Sequence, residues 1–131
     1  GQGDQDFARI MDEFVAPVAR QYKPDCIMIS AGYDTHVSDP LGSMAVTTTG
    51  FAYMARAMVK LAAELCDGRL VLALEGGYNL QGLADGVLTC LHEMTGEGGI
   101  TPETFTALAQ TKRPLSALDA AVAVAKKYWT F

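Results

Sequence analysis

Two polar side chains with complementary chemistry follow two short apolar runs of this 131-residue sequence. Asp34 comes soon after the run Cys26–Ser30, and Tyr78 comes soon after the run Leu70–Leu74. A carboxylate at the end of a strand is rigidly held and partly desolvated, which suits a ligand. A phenol is a neutral donor that can stabilise negative charge as it develops on an oxygen atom. Whether the two residues can act together depends on whether the fold brings them to the same place.

Hydrophobic spacing predicts the elements that must position these two residues. Apolar residues three and four apart predict helices, and the two continuous apolar runs predict strands buried on both faces. The predicted order is a helix over 4–22, a strand over 26–30, a helix from 48 or 49 to 65, a strand over 70–74 and a helix over 79–94. This alternation is typical of an α/β fold with a parallel sheet. Because the crossover between such strands is right-handed, both following loops should lie at one edge of the sheet, where open α/β sheets bind ligands.

Local signals refine the ends of the helices. Asp4 or Asp6 is a plausible cap for the first helix, and Pro17 should bend that helix or start a second one. Gly68 suits the end of the central helix. After a flexible break over 96–99, a Thr-Pro pair predicts a short helix from 101, and residues 115–129 are expected to form the last helix.

Three motifs of the sequence resemble one known family. They are SAGYDTH at 30–36, DPLG at 39–42 and LEGGYNL at 74–80, and Gly-x-Gly-Asp at the start also fits. Together they resemble the C-terminal third of histone deacetylases, acetylpolyamine amidohydrolases and acetoin-utilization proteins. The resemblance implies that residues 1–95 form the C-terminal part of an arginase/deacetylase-type α/β fold, a partial parallel sheet with flanking helices. Residues 96–131 would then be a helical tail.

The resemblance also implies a role for particular residues. Asp34 matches the family's last zinc ligand, and Tyr78 matches the tyrosine that polarises the acetyl carbonyl and stabilises the oxyanion. Leu41 would help to wall the narrow channel that takes the acyl-amine. Gly76 and Gly77 would let the backbone pass closely beneath the substrate. On this basis the parent protein would be a zinc-dependent amidohydrolase that removes acetyl groups from lysine or polyamine amines.

Other readings of the same residues stay open. Asp34 could simply order its own turn, and Tyr78 could be a loop aromatic that packs on the core. His36 could be a metal ligand, although a role behind the metal site or in ordering the loop is favoured, and Asp39 should order the turn before Pro40. A non-catalytic α/β module that serves as an interaction or scaffold domain is the alternative function. A nucleotide-binding Rossmann domain is disfavoured because Gly-x-Gly-x-x-Gly follows neither strand.

The family's remaining zinc ligands come from an Asp-x-His segment, and its general base comes from a His-His pair. This chain has two histidines, His36 and His92, and no His-His pair. Asp34-Thr35-His36 has the Asp-x-His spacing, but it lies where the resemblance places the family's last ligand and not its upstream segment. Since catalytic zinc needs about three protein ligands, the chain by itself is expected to bind no stoichiometric zinc and to be inactive. The absence of an initiator Met also suggests a piece of a longer protein.

The composition limits the kinds of partner that the chain is expected to bind. A net charge of −5 with scattered Lys and Arg argues against direct nucleic-acid binding. No apolar run approaches the roughly 20 residues that cross a membrane. Three widely spaced cysteines indicate reduced thiols, packed as small hydrophobes in a cytoplasmic protein. An open sheet edge is predicted to favour self-association.

Overall fold

The computed structural model describes residues 1–110 and 114–131. The chain begins with helix α1 (Asp4–Ile10), a π-helical turn (Met11–Val15) and helix α2 (Ala16–Tyr22). Strand β1 (Ile27–Ala31), helix α3 (Thr48–Leu65), strand β2 (Leu70–Leu74) and helix α4 (Leu80–Thr95) follow in that order. The tail contains helices α5 (Pro102–Gln110) and α6 (Ser116–Ala125). Among the described residues, no helix is long and apolar enough to cross a membrane.

The two strands form a parallel pair, and α3 makes the crossover between them. The register runs from Ile27 opposite Leu70 to Ala31 opposite Leu74. The predicted α/β fold with a parallel sheet is therefore confirmed, with β1 displaced by one residue from its predicted range. Because the carboxyl ends of parallel neighbours meet at one edge, the loops that follow β1 and β2 leave the sheet side by side.

The prediction that both strands are buried on both faces is wrong for this chain. Ile27 is buried against α3, whereas Met28 is 76% exposed and Val71 is 48% exposed. Successive side chains of a strand point to opposite faces, and the described helices cover one face only. A continuous apolar run indicates that both faces of the strand are apolar. It does not indicate that residues of the same chain pack on both faces.

Pro17 is accommodated by widening the helix in front of it. The π-helical turn ends at Val15, and Pro17 lies in the first turn of α2, where its missing N–H is tolerated. The helical path thus continues from Asp4 to Tyr22 with a local change of pitch, and a second α-helix begins at Ala16, beside this proline, as one of the two predicted outcomes. The N-cap of α1 is Gly3, whose N–H donates to the Asp6 carboxylate at 2.9 Å, so neither aspartate occupies the cap position itself.

Helix α3 is common to all three apolar clusters of the core. The buried members of these clusters are Ala8, Met11, Ala52, Tyr53 and Ile100; Tyr33, Val46, Phe51, Ala55 and Cys90; and Ile27, Leu61, Ala62 and Cys66. Cys66 and Cys90 are buried as predicted, whereas Cys26 is exposed, so the expectation that all three pack as small hydrophobes fails for Cys26. Helix α3 ends before Gly68, which lies in the left-handed region two residues after the cap Cys66.

A buried ion pair attaches the tail to the body. Glu93 is 5% exposed, and its carboxylate accepts two hydrogen bonds from Arg56 at 2.6 and 3.0 Å. The same carboxylate accepts the N–H groups of Gly99 and Ile100, which fixes the link into α5. The last helix, α6, ends at Ala125 and is shorter than predicted. The boundary predicted at 95/96 stays a prediction.

Candidate functional site

Two loops meet at the carboxyl edge of the sheet. The β1 loop comprises residues 32–47, and the β2 loop comprises residues 75–79. The ladder between the strands continues into both loops, because Glu75 N–H donates to Ala31 O at 3.1 Å and Tyr33 N–H donates to Gly76 O at 2.9 Å. The fold therefore brings the segments that carry Asp34 and Tyr78 to one edge.

The Asp34 carboxylate lies between two glycines, one from each loop. A Cβ added at Gly32 would lie 3.0 Å from Asp34 Oδ1, and one added at Gly76 would lie 3.1 Å from Oδ2. Both distances are shorter than ordinary contacts, so these glycines leave the space that the carboxylate fills. No hydrogen bond to this carboxylate occurs within residues 1–110 and 114–131. The two glycines therefore define the space that its oxygens occupy.

The turn after Asp34 is closed by the carboxylate of Asp39. Asp39 Oδ1 accepts the N–H groups of Leu41 at 2.8 Å and Gly42 at 3.1 Å. Gly42 in turn lies against the backbone of Asp34, since an added Cβ would lie 1.6 Å from Asp34 O. These bonds agree with a role of Asp39 in ordering a turn, although they go to residues after Pro40, and that role stays a prediction.

Asp39 also reaches the second loop. Its Oδ2 atom accepts the Tyr78 N–H at 2.7 Å. Burial acts to raise the pKa of Asp39, but hydrogen bonds from the backbone N–H groups of Leu41, Tyr78, Gly42 and Asn79 outweigh it and hold the pKa below its usual value. The carboxylate therefore stays ionised and acts as a shared acceptor for both loops.

His36 is directed into the loop packing. Its Nδ1 atom accepts the Ser38 N–H at 3.2 Å, and its ring stacks on Phe51 with centroids 6.2 Å apart. A Cβ added at Gly82 of α4 would lie 2.6 Å from the same nitrogen. These contacts agree with a loop-ordering role, and that role stays a prediction.

Tyr33 anchors the β1 loop to the core from its first turn. Its ring is 4% exposed and lies 5.1 Å from the Phe51 ring, and a Cβ at Gly86 would lie 2.5 Å from it. Burial raises the pKa of the Tyr33 hydroxyl and of the neighbouring Cys90 thiol, so both stay protonated. Tyr33 is therefore a packing residue, in contrast to Tyr78.

A contact missed from the sequence holds the other end of the β1 loop. Asp4 Oδ1 accepts the Thr47 N–H and Oδ2 accepts the Thr47 hydroxyl, both at 2.7 Å. Thr47 is the N-cap of α3, so Asp4 stabilises a helix 43 residues away instead of capping its own. The sequence feature that could have indicated this contact was the Gly-x-Gly-Asp motif, because its aspartate is not part of the apolar face of the first helix. Gly50 leaves room for it, since an added Cβ would lie 2.4 Å from Oδ1.

The rim above these loops is apolar and open. Tyr78 is 60% exposed and Leu41 is 67% exposed. Gly77 has a φ of +134°, which favours glycine, and a Cβ there would lie 3.0 Å from the Leu83 side chain. Contacts within the protein, with Asp34 at position 76 and with Leu83 at position 77, therefore account for these two glycines. The roles of Leu41, Gly76 and Gly77 in a substrate channel stay predictions.

The Asp34 carboxylate has the donor chemistry of one zinc ligand among several. The carboxylate supplies hard oxygen donors that zinc accepts, and its glycine cradle fixes their position. Within the part of the chain that the structure describes, no group of three or more His, Cys, Asp or Glu side chains could hold a metal ion. A metal site that includes Asp34 would need ligands from outside these residues, and the assignment of Asp34 to such a site stays a prediction.

Comparisons with known proteins agree on the family. Residues 1–94 match the model of the histone deacetylase domain. The chain is 41% identical over 103 residues to histone deacetylase 14, chloroplastic, of Arabidopsis thaliana, covering 79% of the chain and 24% of that protein. It is 48% identical over 82 residues to a probable deacetylase of Archaeoglobus fulgidus, covering 63% of the chain and 23% of that protein. The chain thus spans about a quarter of the length of these relatives.

A solved structure gives the same result. The crystal structure of the HDA15 HD domain superposes with a TM-score of 0.77 at 27% identity, covering 98% of the chain and 33% of that domain. The superposition extends the likeness through the tail, beyond the residues that match the family model. The expected arrangement, part of an arginase/deacetylase-type fold, is confirmed. This chain belongs to the histone deacetylase family.

Proposed function

We propose that the full-length protein is a zinc-dependent deacetylase, with Asp34 as one metal ligand and Tyr78 as the donor to the oxyanion. The observation that carries this proposal is the Asp34 carboxylate, held between Gly32 and Gly76 at the edge where the Tyr78 loop begins. A structural aspartate at such a position normally caps backbone N–H groups. Asp34 leaves that work to Asp39, which supports a role toward a bound ion.

Zinc, when bound, would polarise the acetyl carbonyl and lower the pKa of a water molecule. Asp34 would orient the ion from the end of β1. The Tyr78 hydroxyl would donate a hydrogen bond to the acetyl oxygen and strengthen that bond as negative charge develops there. The exposed Leu41 and the compact Gly76–Gly77 backbone would border the path of the acylated amine and exclude water from it.

The proposed substrates are acetylated lysine and acetylated polyamines. Both place a secondary amide at the end of a slim aliphatic chain, which an apolar rim such as Leu41 and Tyr78 would accept. We propose no direct role in nucleic-acid or membrane binding, and we propose a cytoplasmic location on the basis of the free cysteines. Self-association through the open sheet edge is a further proposal.

A non-catalytic interaction module is the second candidate. One observation favours it, which is that the described residues lack a group of three metal-binding side chains. The two functions differ in what the full-length protein does with zinc. An enzyme would hold one zinc per molecule and turn over, whereas a scaffold would do neither.

The test compares the full-length protein with the 131-residue chain. Zinc content by mass spectrometry and rates on an acetyl-lysine peptide and an acetylpolyamine would be measured for both. We expect one zinc and turnover for the full-length protein, and neither for the chain alone. A full-length protein that holds no zinc and is inactive on both substrates would favour the scaffold. Tight one-to-one binding with turnover by the chain alone would make His36 a ligand.

A further inference from the structure

The carboxylate of Asp39 divides its two oxygens between two loops. Oδ1 closes its own turn through Leu41 and Gly42, which is the ordinary work of a turn aspartate. Oδ2 has a different partner, the Tyr78 N–H at 2.7 Å, which lies 39 residues along the chain. The second bond adds nothing to the turn, so it needs a separate explanation.

The backbone on the two sides of Tyr78 differs in what holds it. Gly76 and Gly77 precede Tyr78, and Gly77 has a φ of +134°, so this backbone is permissive. After Tyr78 the chain is fixed, because Asn79 caps α4 by accepting the Gly82 N–H at 2.8 Å. Tyr78 therefore lies between a permissive segment and a fixed one, and the hydrogen bond to Asp39 is what ties its own backbone to the β1 loop.

We propose that Asp39 is a positioning residue for Tyr78, which couples the loop that carries Asp34 to the loop that carries the oxyanion donor. This inference rests on the proposed function for its catalytic consequence. Tyr78 is 60% exposed, so packing constrains its ring weakly and its placement depends on its backbone. A hydroxyl at the end of a tyrosine amplifies a small backbone rotation into a displacement of the donor.

The substitution Asp39→Asn separates the two sets of bonds. In one orientation the Asn carbonyl oxygen accepts both the Leu41 and the Gly42 N–H groups, so the bonds of the turn are retained. The NH₂ group of the side chain then faces the Tyr78 N–H, and two donors oppose each other. The turn survives while the link to Tyr78 is lost. Asp25→Asn is the matched control, since Asp25 is exposed and precedes β1 at the opposite edge of the sheet.

The first measurement is hydrogen–deuterium exchange in the full-length protein, read at the amide of Tyr78. We expect Asp39→Asn to accelerate this exchange while the amides of Leu41 and Gly42 keep their rates, and Asp25→Asn to change none of them. Unchanged exchange at Tyr78 would overturn the inference, whether or not the protein is an enzyme. If Asp39→Asn is unstable, Asp39→Ser repeats the test, because its shorter side chain keeps an acceptor for the turn and loses the reach to Tyr78.

The second measurement is a double-mutant cycle on kcat with Tyr78→Phe. Asp39→Asn should lower kcat by about 10- to 100-fold, as expected for misplacing a catalytic group by about 1 Å, with zinc content unchanged. The double variant should be no slower than Tyr78→Phe alone, because the positioned hydroxyl is already gone. Effects that multiply would overturn the positioning role. A Tyr78→Phe enzyme of normal rate would instead contradict the proposed function, while the exchange measurement still decides whether Asp39 holds the Tyr78 backbone.

Discussion

The two loops at the carboxyl edge differ in how they are held. The β1 loop carries Asp34 and is tied at both ends, by the buried ring of Tyr33 at its start and by Asp4 on Thr47 at its end. The β2 loop is short, contains two glycines and takes much of its order from outside, through Tyr33, Ala31 and Asp39. The proposed metal ligand thus lies in a loop that is anchored to the rest of the fold at both ends, and the proposed oxyanion donor depends on that loop for its position.

The largest effect is expected from removing the proposed metal ligand of the β1 loop. Asp34→Ala in the full-length protein should lose bound zinc and with it the deacetylase activity, because catalytic zinc needs about three protein ligands. Metal analysis and steady-state kinetics would measure both. An Asp34→Ala protein with one zinc and a normal rate would show that Asp34 is a turn residue only.

A smaller effect is expected at the dependent loop. Tyr78→Phe keeps the ring and removes the donor, so kcat should fall by about 10²–10³ with zinc retained. The two variants should therefore differ, because Asp34→Ala should lose both zinc and activity whereas Tyr78→Phe should lose activity alone. Loss of zinc in Tyr78→Phe would mean that the two loops are not distinct in function.

The packing of the β1 loop can be tested at Gly42. A Cβ there would lie 1.6 Å from Asp34 O, so Gly42→Ala must displace the backbone beside the ligand. We expect a loss of about 1–3 kcal/mol in the free energy of unfolding, as in overpacked cores, together with weaker zinc binding. Gly99→Ala is the control, because its Cβ would meet atoms only at 3.4 Å. Equal effects of the two substitutions would contradict the account.

The smallest effect on zinc binding and rate is expected at the far anchor of the same loop. Asp4→Ala removes two hydrogen bonds to Thr47 and should lower the free energy of unfolding by about 1–3 kcal/mol, with a modest change in rate. Urea unfolding would measure the change, with Asp25→Ala as the exposed control. A loss of zinc as complete as that of Asp34→Ala would mean that the position of Asp34 depends on this one anchor.

The sequence predicted the helices, the strands and the shared edge of the sheet more accurately than it predicted the contacts between distant side chains. Apolar runs and helical spacing are local signals, so β2 and the start of α4 after Asn79 were predicted where they lie. The shared edge followed from the handedness of the crossover, which is also independent of side-chain detail. These features needed no knowledge of which atoms touch.

The contacts between distant residues could not be predicted in this way. Asp4 bonds to Thr47, and Asp39 bonds to Tyr78, through side chains that each have an equally plausible local partner. The exposed face of the sheet was missed for a related reason, because the apolarity of Met28 and Val71 does not say what covers them. Long-range pairing depends on the whole fold and leaves little mark on a single sequence.

The most direct test of the central claim is an anomalous diffraction map of the full-length protein, collected above the zinc absorption edge. The account predicts one peak about 2.0–2.2 Å from an Asp34 carboxylate oxygen, on the side of the Tyr78 hydroxyl, with the remaining ligands supplied by residues outside 1–131. A peak located elsewhere, or a fully folded and active protein without one, would contradict it.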